Sequence, residues 1–251
     1  MTDKKKKPIY VSFATQKGGA GKSSFTILAA SMAHYTSENN VAVIDCDYPQ
    51  LSIVNMRKRE LENIQKDGIL KKLAIAKFSE HNKSSYIVES VTSVMAVETA
   101  EKIVSEQNLD YVFFDLPGTV NQAGILDLIQ QMDYIFVPIS ADRTVMESSI
   151  SFLLMLRQLS TAIKSYVFWN MVDGREKTNL YNVYNKLLEE YNIPVLETEI
   201  PYLLRFHKDA VDYSREGVFR STLLAPSRSM LSNSHVGYLC DEIFEIMNKN
   251  K

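Results

Sequence analysis

Nine residues near the start, Gln16-Lys17-Gly18-Gly19-Ala20-Gly21-Lys22-Ser23-Ser24, have the composition that phosphate chemistry needs. Glycines let successive backbone N–H groups turn toward the oxygens of an anion, and the N-terminus of the helix that follows adds partial positive charge. Lys22 is placed to neutralise the β and γ phosphates of a nucleotide, Ser23 to offer its hydroxyl to Mg2+, and Ser24 to reach the α-phosphate. The general pattern asks for glycine where Gln16 stands, so the match is incomplete at its first position. A glycine-rich turn capped by Ser23 is the bland alternative, and the strand before the loop and the helix after it weigh against it.

Two acidic stretches follow. Asp45-Cys46-Asp47-Tyr48-Pro49-Gln50 closes the apolar run Val41 to Ile44, and Asp115-Leu116-Pro117-Gly118 closes Tyr111 to Phe114. Carboxylates at the carboxyl ends of strands beside a phosphate loop are where Mg2+ and an attacking water are held. Asp115 is placed for the metal, and Gly118 lets its loop shift when a γ-phosphate leaves. Taken alone, each stretch also reads as an aspartate helix cap or an ordinary turn. Asn170, after Tyr166 to Trp169, has an amide suited to the edge of adenine, and serves equally well as a strand-end turn residue.

The elements that must position these groups follow from periodicity. The runs Ile9 to Ala14, Val41 to Ile44, Tyr111 to Phe114, Tyr134 to Val137, Tyr166 to Trp169 and Val195 to Ile200 read as strands, most of them apolar throughout. Ser23 to Tyr35, Thr144 to Leu159, Leu180 to Tyr191 and Leu231 to Met247 carry apolar residues at helical spacing. Such alternation implies an α/β fold, doubly wound, with a mostly parallel sheet and helices on both faces. Asp67 to Ser93 is read as one strand with loops. Residues 1–8 are expected to be a flexible basic end, with Lys4 to Lys7 solvated, and residues 9–251 a single domain.

The Lys17 to Ser23 run resembles the deviant phosphate loop of the ParA/MinD ATPases, a branch of the P-loop NTPases in which Gln16 is not an anomaly. The resemblance spans Ile9 to Gly217. It implies ATP and Mg2+ as ligands, hydrolysis of ATP to ADP, and a homodimer in which Lys17 reaches across to the partner's phosphates, as an arginine finger does. By the same resemblance Asp47 orients the water and Asp45 supports the hydration shell of the metal, with Tyr48 an insertion that leaves the division between the two aspartates open. Ile200-Pro201-Tyr202-Leu203-Leu204-Arg205-Phe206 is similar to the Ile-Pro segment that lies against the base in that family, and Tyr202 stands where many members carry arginine.

Composition limits the partners. The 251 residues are 45% hydrophobic and 23% charged with a net charge of −2, which gives no global attraction to nucleic acid or anionic lipid. Between Pro201 and Ser232, however, five basic residues (Arg205, Lys208, Arg215, Arg220, Arg228) stand against three acidic ones (Asp209, Asp212, Glu216). That local excess is an expected patch for non-specific DNA, or a merely solvated face. The resemblance implies a ParA-like partitioning ATPase with a ParB-like activator, cytoplasmic and, where it holds DNA, associated with the nucleoid. A MinD-like membrane role needs a basic C-terminal amphipathic segment, whereas the last helix carries Asp241, Glu242 and Glu245, so no membrane is expected. Two widely separated cysteines, Cys46 and Cys240, argue for reduced thiols and against an iron–sulfur enzyme on the same scaffold. A ligase on that scaffold stays open.

Overall fold

Short β-rich runs separated by helical segments of a dozen or so residues cannot pair with their sequence neighbours as hairpins, so they pair in parallel through crossovers. The computed structural model, which describes residues 7–37, 39–175, 179–206 and 218–249, has six such strands: β1 (Ile9–Phe13), β2 (Val41–Asp45), β3 (Ile87–Ser90), β4 (Tyr111–Asp115), β5 (Tyr134–Ile139) and β6 (Lys164–Trp169). Their order is β3-β2-β4-β1-β5-β6 and every pairing is parallel.

Period-two alternation splits each central strand between two cores. In β4, Val112 and Phe114 point to one face while Tyr111 and Phe113 point to the other; Ala42 and Ile44 alternate with Val41 and Val43 in β2. The first face is covered by α4 (Ala96–Glu106), α5 (Ile125–Gln130), α6 (Arg143–Leu159) and α7 (Asn179–Glu190). The second is covered by α1 (Lys22–Tyr35), the start of α2 (Ser52–Lys66) and α9 (Val236–Lys249). α1 is buried along nearly its whole length, as a helix packed beneath other elements must be. The expected sheet with helices on both faces is therefore the fold, and it is wholly parallel among the described strands.

Three expectations need correction. Asp67 to Ser93 is not one strand with loops: it holds α3 (Gly68–His81) before β3. Asp67 caps α3 by accepting from the amides of Ile69 and Leu70, and Asn82 closes it in the left-handed region at φ 48°. Val195 to Ile200 forms no continuous strand; it meets β6 at the bridge Val167–Val195 and through the amides of Leu196 and Ile200, which donate to the carbonyls of Val167 and Trp169 at 2.8 Å each, and the next bridge, Val172–Pro201, lies beyond both. Between them the amides of Glu197 and Thr198 donate to the carboxylate of Glu242 on α9, at 2.7 and 3.0 Å, instead of to a neighbouring strand. The helix expected over Leu231 to Met247 is broken: α8 (Arg228–Leu231) ends, Asn233 and His235 take φ 59° and 57°, and α9 starts at Val236. Lys4 to Lys6 lie outside the described residues, while the Lys7 ammonium sits 5.6 Å from the centroid of the Tyr10 ring. Both cysteines are free and buried. Among the described residues no helix is long and apolar enough to cross a membrane.

Candidate nucleotide site

β1 lies between β4 and β5, and its crossover runs past β4 to β2 while β5 leads outward to β6, so the sheet order reverses beside it. A crevice opens at the carboxyl ends of strands at such a point, and the Gln16 to Gly21 loop fills it. Gly19 and Gly21 adopt φ 77° and 88°, a region costly for residues with a Cβ. At Gly21, which caps α1, a Cβ would also come within 3.0 Å of the Phe25 ring. Gln16 to Gly19 are exposed, Ala20 is half-buried, and Lys17 stands on the exposed rim with its amide 3.4 Å from the Thr15 hydroxyl. Lys22, the first residue of α1, is buried, and its Nζ is 3.5 Å from where a Cβ on Gly118 would lie. Gly118 thus leaves room for the ammonium at the mouth of the crevice.

The acidic groups converge on the same edge. Asp45 and Asp115 are direct neighbours across the β2–β4 ladder, and the Cys46 amide donates to the Asp115 carbonyl at 2.9 Å. Asp45 is wholly buried and its carboxylate accepts from the amides of Ile53 and Val54, at 3.0 and 3.1 Å, and of Asp47 at 3.3 Å. It therefore anchors the start of α2, although burial still raises its pKa. Asp47 is half-buried; burial raises its pKa, Lys22 draws it back, and Asp45 adds to the rise. Asp115 is fully buried and neither of its carboxylate oxygens has a hydrogen-bond partner; Ser23, close enough to favour the charged form, stops short of bonding geometry. Burial pushes the Asp115 carboxyl up to about 7, with Asp45 and Asp47 adding to the rise. An orphaned buried carboxylate beside a hydroxyl is an oxygen donor set that suits Mg2+. Among the described residues there is no group of three His, Cys, Asp or Glu side chains that could form an all-protein metal cage.

Beside the loop a cleft of about 180 Å³ brings Gly19, Gly21 and Ser24 together with Asn170, Pro201 and Tyr202. Asn170 is buried, and its amide is already engaged: Nδ2 donates to the Ala20 carbonyl at 3.0 Å, and the side-chain oxygen accepts from the Met171 amide at 2.9 Å. It holds the phosphate loop against the end of β6 as well as lining the cleft. Sequence reasoning reached Phe206 only as the last residue of the segment expected against the base, and missed the facing wall, Phe25, which looks like any core position of an apolar helix; the two rings lie 5.8 Å apart. It also missed Arg220, whose guanidinium donates to Ser24 Oγ.

The sequence profile described as the CobQ/CobB/MinD/ParA nucleotide binding domain matches residues 11–212. The chain belongs to that family. Among solved structures, a plasmid partition protein from Borrelia burgdorferi aligns at TM-score 0.62 and 17% identity, covering 98% of this chain and all of its own. MinD from Aquifex aeolicus aligns at TM-score 0.62 and 14% identity over 96% of this chain and 97% of that one. Cobyrinic acid a,c-diamide synthase from Mycobacterium smegmatis, with bound ATP analog and magnesium, aligns at TM-score 0.62 and 15% identity over 98% and 97%. At these identities the likeness is one of fold. None of the curated proteins matches the chain in sequence.

The basic excess between Pro201 and Ser232 divides. Arg205 donates to the carbonyls of Met230 and Ser232 and lies over the Phe219 ring, and Arg220 turns to Ser24. Arg228 is exposed, whereas Lys208 and Arg215 lie outside the described residues.

Proposed function

We propose that this chain is an ATPase of the ParA type, which dimerises around ATP, holds DNA without sequence preference and is reset by hydrolysis. The observation that carries the reading is the meeting, at one sheet edge, of the phosphate loop, the buried Lys22 and the partnerless Asp115 carboxylate. In this reading the loop amides and Lys22 bind the phosphates, and Ser23 with Asp115 holds Mg2+, with Asp45 beside them deepening the negative field. The metal, when bound, neutralises charge on the β and γ oxygens. Asp47, exposed enough to meet solvent and close enough to Lys22 to feel its charge, orients the attacking water. Lys17, on the exposed rim, reaches the phosphates of a second copy.

A partition protein and MinD stand among the structural neighbours beside cobyrinic acid a,c-diamide synthase at the same TM-score of 0.62, so the positioning role rests on Lys17 and on the experiment below. The DNA half rests on exposed Arg228 with Lys208 and Arg215, since Arg205 and Arg220 are turned inward. A ParB-like activator belongs to the same reading. Sedimentation of Asp47→Ala with ATP, ADP or no nucleotide tests it: a dimer is expected with ATP alone, and Lys17→Ala should weaken it. A monomer in all three states would remove the switch. A dimer that ignores DNA at low salt would leave the ATPase and move the cargo to another surface.

A further inference from the structure

Arg220 approaches the phosphate loop from a distant part of the chain. Its Nη1 donates to Ser24 Oγ and, at 3.4 Å, to the Phe206 carbonyl. Ser24 lies in the first turn of α1 and opens onto the cleft between the loop and the Asn170 end. A hydroxyl that accepts from a guanidinium keeps its own proton to give, and a charge-assisted bond on its oxygen makes that proton the stronger donor.

The stem that delivers the guanidinium is fixed on both sides. Before it, Phe219 is buried and meets Phe206 edge-on at 5.0 Å. After it, Ser221 and Thr222 are buried and pinned: Ser31 donates to the Ser221 carbonyl, Tyr35 and Arg57 donate to that of Thr222, and the Glu60 carboxylate accepts from the Thr222 amide and hydroxyl. A cation so held needs little ordering when a ligand arrives.

We infer that Arg220 is a nucleotide-positioning residue which, acting through Ser24, presents a fixed positive charge toward the α-phosphate of the nucleotide bound in its own chain. The inference rests on the nucleotide reading of the loop. Lys22, with Asp47 and Asp115 beside it, serves the other end of the phosphate chain, so Arg220 sets affinity for the diphosphate and triphosphate alike. It also removes Arg220 from the DNA patch to which its charge alone would assign it.

The experiment measures the Kd of mant-ADP and mant-ATP for wild type, Arg220→Gln, Arg220→Lys, Ser24→Ala and the Arg220→Gln/Ser24→Ala double variant, with the melting temperature of each ligand-free chain. Arg220→Gln should weaken both nucleotides by about tenfold and to the same extent, as loss of a charge-assisted contact does. Arg220→Lys should recover part of the loss. The double variant should be within about twofold of Ser24→Ala, because Arg220 acts through that hydroxyl. Unchanged affinity in Arg220→Gln, a loss confined to mant-ATP, or additive losses in the double variant would each overturn the inference. Should Arg220→Gln melt lower, the cycle measured below both transitions decides on the same criteria. A wild type that binds neither probe defeats the nucleotide reading itself, whereas a wild type that binds with an indifferent Arg220 defeats only the inference.

Discussion

Asp115→Asn keeps the shape of the side chain and removes its charge, which isolates the effect of burying a partnerless carboxylate. Burial, reinforced by Asp45 and Asp47, raises this group from 3.8 to about 7. Across that window the folded chain holds a proton that the unfolded chain has released, so the stability of the ligand-free protein falls as pH rises and levels off above about 7. Within the window the loss is about 1.36 kcal/mol for each tenfold fall in proton concentration, so from about pH 5 to about pH 7 wild type should lose roughly 2–3 kcal/mol that the variant keeps. In a chain of this size that corresponds to about 5–10 °C in Tm. Calorimetric melts of both proteins without nucleotide or Mg2+, taken at unit pH steps across this range and one step above it, measure the difference directly. The two should lie closest together at the acid end and diverge toward the alkaline end, with Asp115→Asn the more stable there. Curves that stay parallel across the range would refute the assignment of the raised pKa to burial at Asp115. Adding ADP with Mg2+ at the alkaline end should then raise the melt of wild type more than that of the variant.

Other expectations are more local. Gly21→Ala forces a left-handed φ on alanine and presses its Cβ to 3.0 Å from Phe25, so Tm should drop by an amount equivalent to about 1–2 kcal/mol, with weaker mant-ADP binding. Lys22→Ala should lose nucleotide binding, whereas Asp47→Ala should bind normally and hydrolyse ATP at least about 100-fold more slowly, as seen by phosphate release under single-turnover conditions. Glu60→Ala orphans the buried Thr222 amide and removes the acceptor of the Thr222 hydroxyl proton, while that hydroxyl still accepts from Arg57 Nε at 2.8 Å; it should cost about 2–3 kcal/mol of stability, read from the urea midpoint, with Glu60→Gln recovering most of it.

The parts of the fold legible from sequence were those in which local pattern and tertiary environment agree. β1, β2 and β4 are apolar because both faces are covered, and the loop after β1 carries its own chemistry in its residue types. α3 was not legible because its exposed side includes Ile69 and Ile75, so no clean apolar stripe marks a buried face. Its caps, Asp67 and Asn82, were the available signals. Val195 to Ile200 has the residues of a strand, and its Leu196 and Ile200 amides do reach β6, but those of Glu197 and Thr198 are drawn off by Glu242, more than forty positions away. The break before α9 lies in Asn233 to His235, where a run of helical spacing hides two left-handed residues. At the site, Asp115 could be placed for the metal from its strand end, but Asp45 and Asp47 could not be told apart: the amides of Ile53 and Val54 that hold the Asp45 carboxylate come from the start of α2 and are seen only in the fold. The inward turn of Arg205 and Arg220 was invisible for a similar reason, since a charge count carries no direction.

The bridge from Asn170 to Ala20 bears on how this site could be re-engineered. One amide both faces the cleft that would take the base and fastens the loop that would take the phosphates, by 3.0 Å to Ala20 and 2.9 Å to Met171. Base preference and phosphate grip are therefore not separate modules for a protein engineer to trade one against the other. A substitution at Asn170 meant to admit a different base would also release the loop, and selection for a new nucleotide would have to begin at Pro201, Tyr202 or Phe206, whose side chains shape the cleft without holding the loop.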